Sequence, residues 1–125
     1  MNMPSSDKNR ENKVHRGRHY EQMAALFYEQ QGFEVLAKNW RAAHKEIDLV
    51  VRKDNLLVFV EVKSTATRKF GHPAEKVGRA KIRNLTEAAR WFLIEHEIEN
   101  CDLRFDVVTF TRGRLEHYPN AFESE

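Results

Sequence analysis

Apolar and polar positions alternate with a period of two along three segments in the first half of the chain, a pattern typical of β-strands. The three predicted strands are residues 33–39, 46–52 and 56–63. Residues 40–45 form a polar link between the first two. The triplet Lys53-Asp54-Asn55 favours a tight turn, so the last two strands are predicted to form a hairpin.

Apolar residues at helical spacing predict two helices. The first runs from Gly17 to Gln31, with Tyr20, Ala24 and Phe27 on one side and Gly32 as its stop signal. The second covers residues 74–96. Its apolar stripe consists of Ile82, Leu85, Ala89, Phe92 and Leu93. Strands over 103–110 and 114–118 follow, so the order of helix, three strands, helix and two strands indicates an α/β fold.

Length and composition indicate one domain. The chain has 125 residues, and its polar segment 1–15 is predicted to be a flexible tail before a single domain at 16–125. A net charge of +2 permits nucleic-acid binding without demanding it. The single Cys101 excludes an intrachain disulfide and fits a reducing compartment. No apolar run resembles a signal peptide or could span a bilayer, so we expect a cytoplasmic protein without membrane contact.

Charged residues interrupt the two hairpin strands where apolar residues would be expected. Alternation sends Ile47, Leu49 and Val51 to one face of the sheet, and Glu46, Asp48 and Val50 to the other. On the second strand, Glu61 and Lys63 share a face with Phe59. Pairing of the strands would therefore bring Asp48, Glu61 and Lys63 together at one edge of the sheet.

Two carboxylates beside an ammonium group suit a metal-dependent phosphodiesterase. Oxygen ligands bind a hard divalent cation, and the ammonium group can position or activate a water molecule. The structural alternative is a set of exposed salt bridges, which contribute little to stability. Aspartate is disfavoured in strands, and Asp48 lies within the apolar run Ile47-Asp48-Leu49-Val50-Val51, which favours the functional interpretation.

Further segments of the chain carry a family resemblance. They are Gly17 with Glu21 and Ala24, Asn39-Trp40-Arg41, Glu46-Ile47-Asp48-Leu49-Val50, Phe59-Val60-Glu61-Val62-Lys63, Lys81 with Ala88-Ala89, and Arg104-Phe105-Asp106-Val107-Val108. In this order they resemble the YraN family of bacterial proteins, which are similar to archaeal Holliday-junction resolvases of the PD-(D/E)XK superfamily. The resemblance covers residues 17–110. It implies a restriction-endonuclease-like αβββαβ core, with a mixed sheet flanked by helices.

The resemblance also implies a metal site. Asp48, Glu61 and the backbone carbonyl of Val62 would bind Mg²⁺ or Mn²⁺, with water completing the coordination shell. Lys63 would position or deprotonate the attacking water and offset charge in the transition state. Glu21 on the first helix would contact the metal directly or through water, although a solvated helix glutamate is an alternative.

Other polar residues are predicted to surround this site. Glu46 shares the predicted face of Asp48 and would support the metal ligands indirectly. By the resemblance, Lys81 would contact phosphate, whereas its structural alternative is a lysine that covers the edge of the core. A basic set would follow the phosphate backbone or form a solvated surface: Lys76, Arg79 and Arg83 on the second helix, and Arg68 and Lys69 in the loop before it.

The sequence therefore predicts a metal-dependent nuclease, an endonuclease acting on branched or structured DNA. A non-catalytic nucleic-acid-binding module on the same fold is one alternative, and a protein-interaction adaptor is another. The sequence leaves the exact substrate open. It also leaves open the oligomeric state, with a homodimer among the alternatives.

Overall fold

The computed structural model describes residues 5–65 and 78–124, with side chains described from residue 17 onward. Its elements are α1 (Ser5–Glu29), β1 (Glu34–Ala42), β2 (Lys45–Lys53), β3 (Leu56–Thr65), α2 (Arg79–Glu95), β4 (Asp102–Thr111) and β5 (Arg114–Tyr118). This order confirms the predicted α/β class, and it is consistent with a restriction-endonuclease-like αβββαβ core.

One mixed sheet has the strand order β1-β2-β3-β4-β5. Strands β2 and β3 form the predicted antiparallel hairpin, and β1 and β5 add antiparallel strands at the two edges. The central pair β3 and β4 is parallel, from Leu56 opposite Asp102 to Thr65 opposite Thr111. A parallel pair needs a crossover connection, and α2 lies in that connection.

Each helix covers one face of the sheet. On the α1 face, the buried residues are Ala24, Ala25, Tyr28, Leu49, Val51, Val58, Val60, Val108 and Phe110. On the α2 face, they are Ile47, Val50, Leu57, Phe59, Leu85, Ala88, Ala89, Phe92, Phe105, Val107 and Ala121. The central strands are apolar on both sides because helices exclude water from both faces. Any charged side chain on these strands must therefore find a partner or a ligand.

Three predicted element boundaries are wrong. Helix α2 begins at Arg79 rather than at residue 74, after Gly78 in an extended conformation. Helix α1 begins at Ser5 rather than at Gly17, within the segment that was predicted to be a tail. Extending a formed helix costs much less than starting one, so a polar segment can continue it without an apolar stripe. Strand β1 continues through Trp40 to Ala42, and the turn is only Ala43 and His44, both with positive φ. Neither residue is a typical turn former, so the sequence pattern did not predict this hairpin.

The predicted sharing of one face by Ile47, Leu49 and Val51 is also wrong. Leu49 and Val51 lie on the α1 face, whereas Ile47 packs on the α2 face. Between Ile47 and Leu49, the β1–β2 register skips the level of Asp48, and Asn39 at that level has a φ of 49°. The regular β2–β3 register begins at Leu49, opposite Val60. The irregularity turns the strand at Asp48.

No helix within the described ranges, residues 5–65 and 78–124, combines the length and the apolar character needed to cross a membrane.

Candidate active site

Asp48 lies where β2 leaves its regular pairing with β3. Its Oδ2 accepts a hydrogen bond from the backbone N–H of Val62 at 2.8 Å. The side chain of Asp48 thus pairs with β3 beyond the last backbone pair, Leu49 with Val60. This contact fixes the orientation of the carboxylate and places it beside Glu61, the residue before Val62.

Glu61 is a nearly buried acid, with only 7% of its surface exposed. Its Oε1 lies 3.5 Å from Nζ of Lys81, which reaches across from α2. Its Oε2 is buried and has no hydrogen-bond partner. The carboxyl groups of Asp48 and Glu61 are near enough that each acts on the pKa of the other. The structure therefore brings these two predicted residues together.

Burial governs the titration of this pair. Burial, reinforced by the charge of Asp48, raises the pKa of Glu61 to about 7, while the ammonium groups of Lys81 and Lys63 oppose that rise. Burial also raises the pKa of Asp48, and the N–H of Val62 opposes it. Two acids that share a site resist simultaneous ionisation. A bound cation would remove this conflict.

Glu21 and Glu46 extend the acidic group toward α1. Burial raises the pKa of Glu21, a hydrogen bond from Asn39 opposes this effect, and Asp48 and Glu46 raise that pKa further. Glu46 also pairs with Arg41, at 3.4 Å from Nη2 to Oε2. Both glutamates therefore act electrostatically on the metal-ligand candidates.

The predicted ligand set is incompletely assembled. Within the described side chains, no three His, Cys, Asp or Glu residues are arranged to hold a metal ion together. Glu21 therefore interacts with Asp48 electrostatically without completing a three-residue ligand group. Two carboxylates remain sufficient for Mg²⁺, which commonly takes one or two protein carboxylates and retains several water molecules.

Two lysines flank Glu61. Lys63 follows it on the same strand, is half-buried, and lies near enough to lower the pKa of Glu61. Lys81 is more exposed and makes the 3.5 Å contact described above. The remaining basic candidates form two groups. Arg79 and Arg83 are exposed on the first turns of α2, whereas Lys76, Arg68 and Lys69 lie outside the described residues.

A second buried acid, Asp106 on β4, is the centre of a hydrogen-bond network that we did not predict from the sequence. Its carboxylate accepts two hydrogen bonds from Arg104, at 2.8 and 2.9 Å, and one from the hydroxyl of Tyr28 at 2.8 Å. His117 Nε2 lies at 2.8 Å, and the backbone N–H of Asn120 donates at 3.0 Å. This network ties α1 to β4, β5 and the segment after β5. The signal was available, because Asp106 interrupts an apolar strand just as Asp48 does.

The environment of Asp106 lowers its pKa, whereas the environment of Glu61 raises its pKa. Burial alone would raise the pKa of Asp106, but hydrogen bonds from His117, Arg104, Asn120 and Tyr28 outweigh burial and hold it at about 2. All of this acid's charge is therefore satisfied within the protein. Of the two acids that are buried in the described part of the chain, Glu61 and Asp106, only Glu61 has a buried carboxylate oxygen without a hydrogen-bond partner.

Comparison with known proteins identifies the family of this chain. Residues 20–110 match the model of the Uncharacterised protein family UPF0102. A UPF0102 protein of Sulfurihydrogenibium sp. is 37% identical over 90% of this chain and 98% of its own length. One from Beutenbergia cavernae is 44% identical over 78% of this chain and 83% of its own length. The chain therefore belongs to the UPF0102 family, which confirms the resemblance to YraN proteins.

Proposed function

We propose that this UPF0102 protein is a metal-dependent nuclease that hydrolyses phosphodiester bonds in DNA, with Asp48 and Glu61 as its metal ligands. One observation carries the proposal. Glu61 Oε2 is buried without a hydrogen-bond partner, and the charge of Asp48 acts on the same carboxyl group. A buried polar atom of this kind costs free energy unless a ligand satisfies it.

The donor set fits a hard divalent cation such as Mg²⁺ or Mn²⁺. Both side chains offer oxygen, and the N–H of Val62 already orients Asp48. When bound, such a cation stabilises charge on a phosphoryl oxygen and lowers the pKa of a coordinated water. The backbone carbonyl of Val62 and, through water, Glu21 would complete the protein's contribution.

The two lysines have separate roles in this proposal. Lys63 positions the attacking water from the strand that carries Glu61 and offsets charge in the transition state. Lys81 approaches from α2 and neutralises part of the charge of Glu61 in the metal-free protein. With a cation bound, Glu61 no longer needs that ammonium group, and Lys81 can contact the substrate phosphate. Electrostatic stabilisation of this kind is the main contribution of a protein to phosphoryl transfer.

The proposed substrate class is structured or branched DNA. The support for this substrate class is the family resemblance. At a net charge of +2, DNA binding would depend on locally placed cations. The proposed metal site does not by itself distinguish among four-way junctions, flaps and linear duplexes.

A nuclease assay on the full chain tests the proposal. The substrates would be linear duplex, single-stranded, flap and four-way-junction DNA, each with Mg²⁺, Mn²⁺ or EDTA. We expect cleavage that requires metal, that Asp48→Asn abolishes, and that the control Asp102→Asn preserves, because Asp102 is an exposed acid on β4. Metal-independent DNA binding without cleavage would instead support a non-catalytic binding module. Absence of both DNA binding and DNA cleavage would favour a protein-interaction adaptor.

A further inference from the structure

A polar groove lies between α1 and the β1–β2 hairpin, next to the acidic pair. Its volume is about 480 Å³, within the size range of ligand-binding pockets, about 300–1,000 Å³. Its lining residues are Gly17, Arg18, Glu21, Asn39, Arg41 and Glu46. Glu21 belongs to both regions, since its carboxylate interacts electrostatically with Asp48. The groove is thus an extension of the candidate active site rather than a separate pocket.

The groove continues along the end of the hairpin. A second depression of about 520 Å³ shares Arg41 and Glu46 with the first and follows the turn at Ala43 and His44 to Lys45. The two depressions adjoin at Arg41 and Glu46 and together form an open track along the β1–β2 hairpin. A track with this shape suits an extended chain better than a compact small molecule.

Two guanidinium groups line the inner part of this track. The side chain of Arg41 is 75% exposed, and its described ionic contact is the 3.4 Å approach of Nη2 to Glu46. Arginine carries five N–H donors, so one such contact leaves most of the guanidinium fork available to a ligand. Arg18 is exposed on α1 and acts on Glu21 across the groove, lowering the pKa of that acid. Each arginine therefore interacts with one acid of the groove, Arg41 with Glu46 and Arg18 with Glu21.

We propose that this groove binds a phosphodiester group of the substrate strand next to the one that is cut, with Arg18 and Arg41 as its ligands. The inference rests on the proposed nuclease function. Guanidinium groups suit this role because their planar fork matches the oxygens of a phosphate. A free anion would meet Glu21 and Glu46 as well as the arginines. A strand that also reaches Asp48 and Glu61 gains contacts at both places, so the groove selects a polynucleotide.

The contact can be tested by removing one charge from the DNA and one charge from the protein. A set of DNA substrates would be made, each with one phosphate near the mapped cleavage position replaced by a methylphosphonate, which is uncharged. Binding would be followed by fluorescence anisotropy without divalent metal, so that no cleavage occurs. For the wild-type protein, we expect one flanking methylphosphonate to weaken binding by about 3- to 10-fold, between the effect of an exposed ion pair and that of a charged hydrogen bond.

Arg41→Gln should bind unmodified DNA more weakly by a similar factor and should no longer respond to that methylphosphonate. Arg18→Gln should behave in the same way at this position or the neighbouring one. Each substitution should reduce the slope of log affinity against log salt by about one. Arg41→Lys should recover part of the affinity. Arg114→Gln, an exposed position on β5, is the matched control and should keep the wild-type response.

The outcomes separate this inference from the function on which it rests. If the wild-type protein cleaves DNA, but Arg18→Gln and Arg41→Gln keep its affinity, salt slope and methylphosphonate response, the groove is not a phosphate site and the nuclease proposal stands. If the wild-type protein neither binds nor cleaves DNA, both proposals fail. Thermal unfolding of each variant would verify that it folds, and Arg41→Lys offers a second test of the same position.

Discussion

Asp48 and Val62 are joined across the junction of β2 and β3 by a 2.8 Å hydrogen bond, in which the backbone N–H of Val62 donates to Oδ2 of Asp48. A side chain here replaces the backbone acceptor that a regular antiparallel ladder would supply. The consequence is that the acid of one strand comes to rest beside Glu61 of the next. The strand irregularity therefore builds the candidate site.

Glu61→Gln should stabilise the metal-free protein at alkaline pH. The pKa of Glu61 is about 7 in the folded protein, and its ordinary value is 4.5. Below pH 4.5 the carboxyl group is therefore protonated in both the folded and the unfolded protein, and its ionisation does not change stability. As the pH rises from 4.5 to 7, the unfolded state ionises first and the wild-type protein loses stability. Above pH 7 the variant should be more stable by up to about 3 kcal/mol.

Urea unfolding in EDTA at pH 4, 6 and 8 measures this difference. Glu95→Gln, which removes an exposed acid near the end of α2, serves as the control and should show no comparable trend. Equal stability of Glu61→Gln and the wild-type protein at pH 8 would contradict the assigned environment of Glu61.

Asp48→Asn and Lys63→Ala should separate metal binding from catalysis. The neutral amide is a poor ligand for a hard cation, so Asp48→Asn should lose metal affinity and cleavage together. Lys63→Ala should retain metal binding but cleave about 10²-fold more slowly, the usual effect of losing a positioned acid–base or electrostatic group. Calorimetric metal titration paired with single-turnover cleavage checks both variants. A wild-type cleavage rate for Lys63→Ala would show that its proposed role is wrong.

Lys81→Met should shift the pH dependence of metal binding to higher pH. The ammonium group of Lys81 lowers the pKa of Glu61, so its removal should make that carboxyl group hold its proton more tightly. Metal binding displaces this proton and should therefore require a more alkaline solution. Titrations with Mg²⁺ across pH 6–9 measure the shift. Lys81→Arg should restore the wild-type profile, and Lys38→Met, at an exposed site on β1, should not change it.

Asp106→Asn should destabilise the fold without altering the metal site. Removing the charge of Asp106 leaves Arg104 without its buried counter-ion, a change that typically costs 3–5 kcal/mol. Tyr28→Phe removes a single hydrogen bond to the same carboxylate and should cost about 1.5–3 kcal/mol. Urea unfolding measures both values. Metal affinity of the folded variants should match that of the wild-type protein, since Asp106 contacts neither Asp48 nor Glu61 in the described hydrogen bonds.

The same network has its own pH dependence. The folded pKa of Asp106 is about 2, below its ordinary value of 3.8, so its contribution is fully present above pH 3.8 and is lost as the pH falls toward 2. The stability difference between the wild-type protein and Asp106→Asn should therefore narrow in acid.

The sequence by itself determined the α/β class, the β2–β3 hairpin and the choice of Asp48, Glu61 and Lys63 as candidate residues. These features are local. Alternation with a period of two is set by the backbone of each strand, and a charged residue in an apolar strand is visible without knowledge of its neighbours. The apolar stripe of α2 was predicted for the same reason, with Leu85, Ala89 and Phe92 all buried.

Only the tertiary structure decided which face each residue of β2 occupies. Ile47 lies opposite its predicted face, and Asn39 on the neighbouring strand adopts a left-handed conformation at the level of the next residue, Asp48. Such an irregularity depends on the partner strand, and no pattern within β2 encodes it.

The tertiary structure likewise decided which charges meet. The contact of Lys81 with Glu61, the partners of Asp106, and the groove shared by Arg18 and Arg41 each join elements that are distant in sequence. Sequence patterns report how a segment folds, whereas the pKa of a buried acid and the ligand that it can bind depend on what packs against it. That environment exists only once α1 and α2 have closed on the two faces of the sheet.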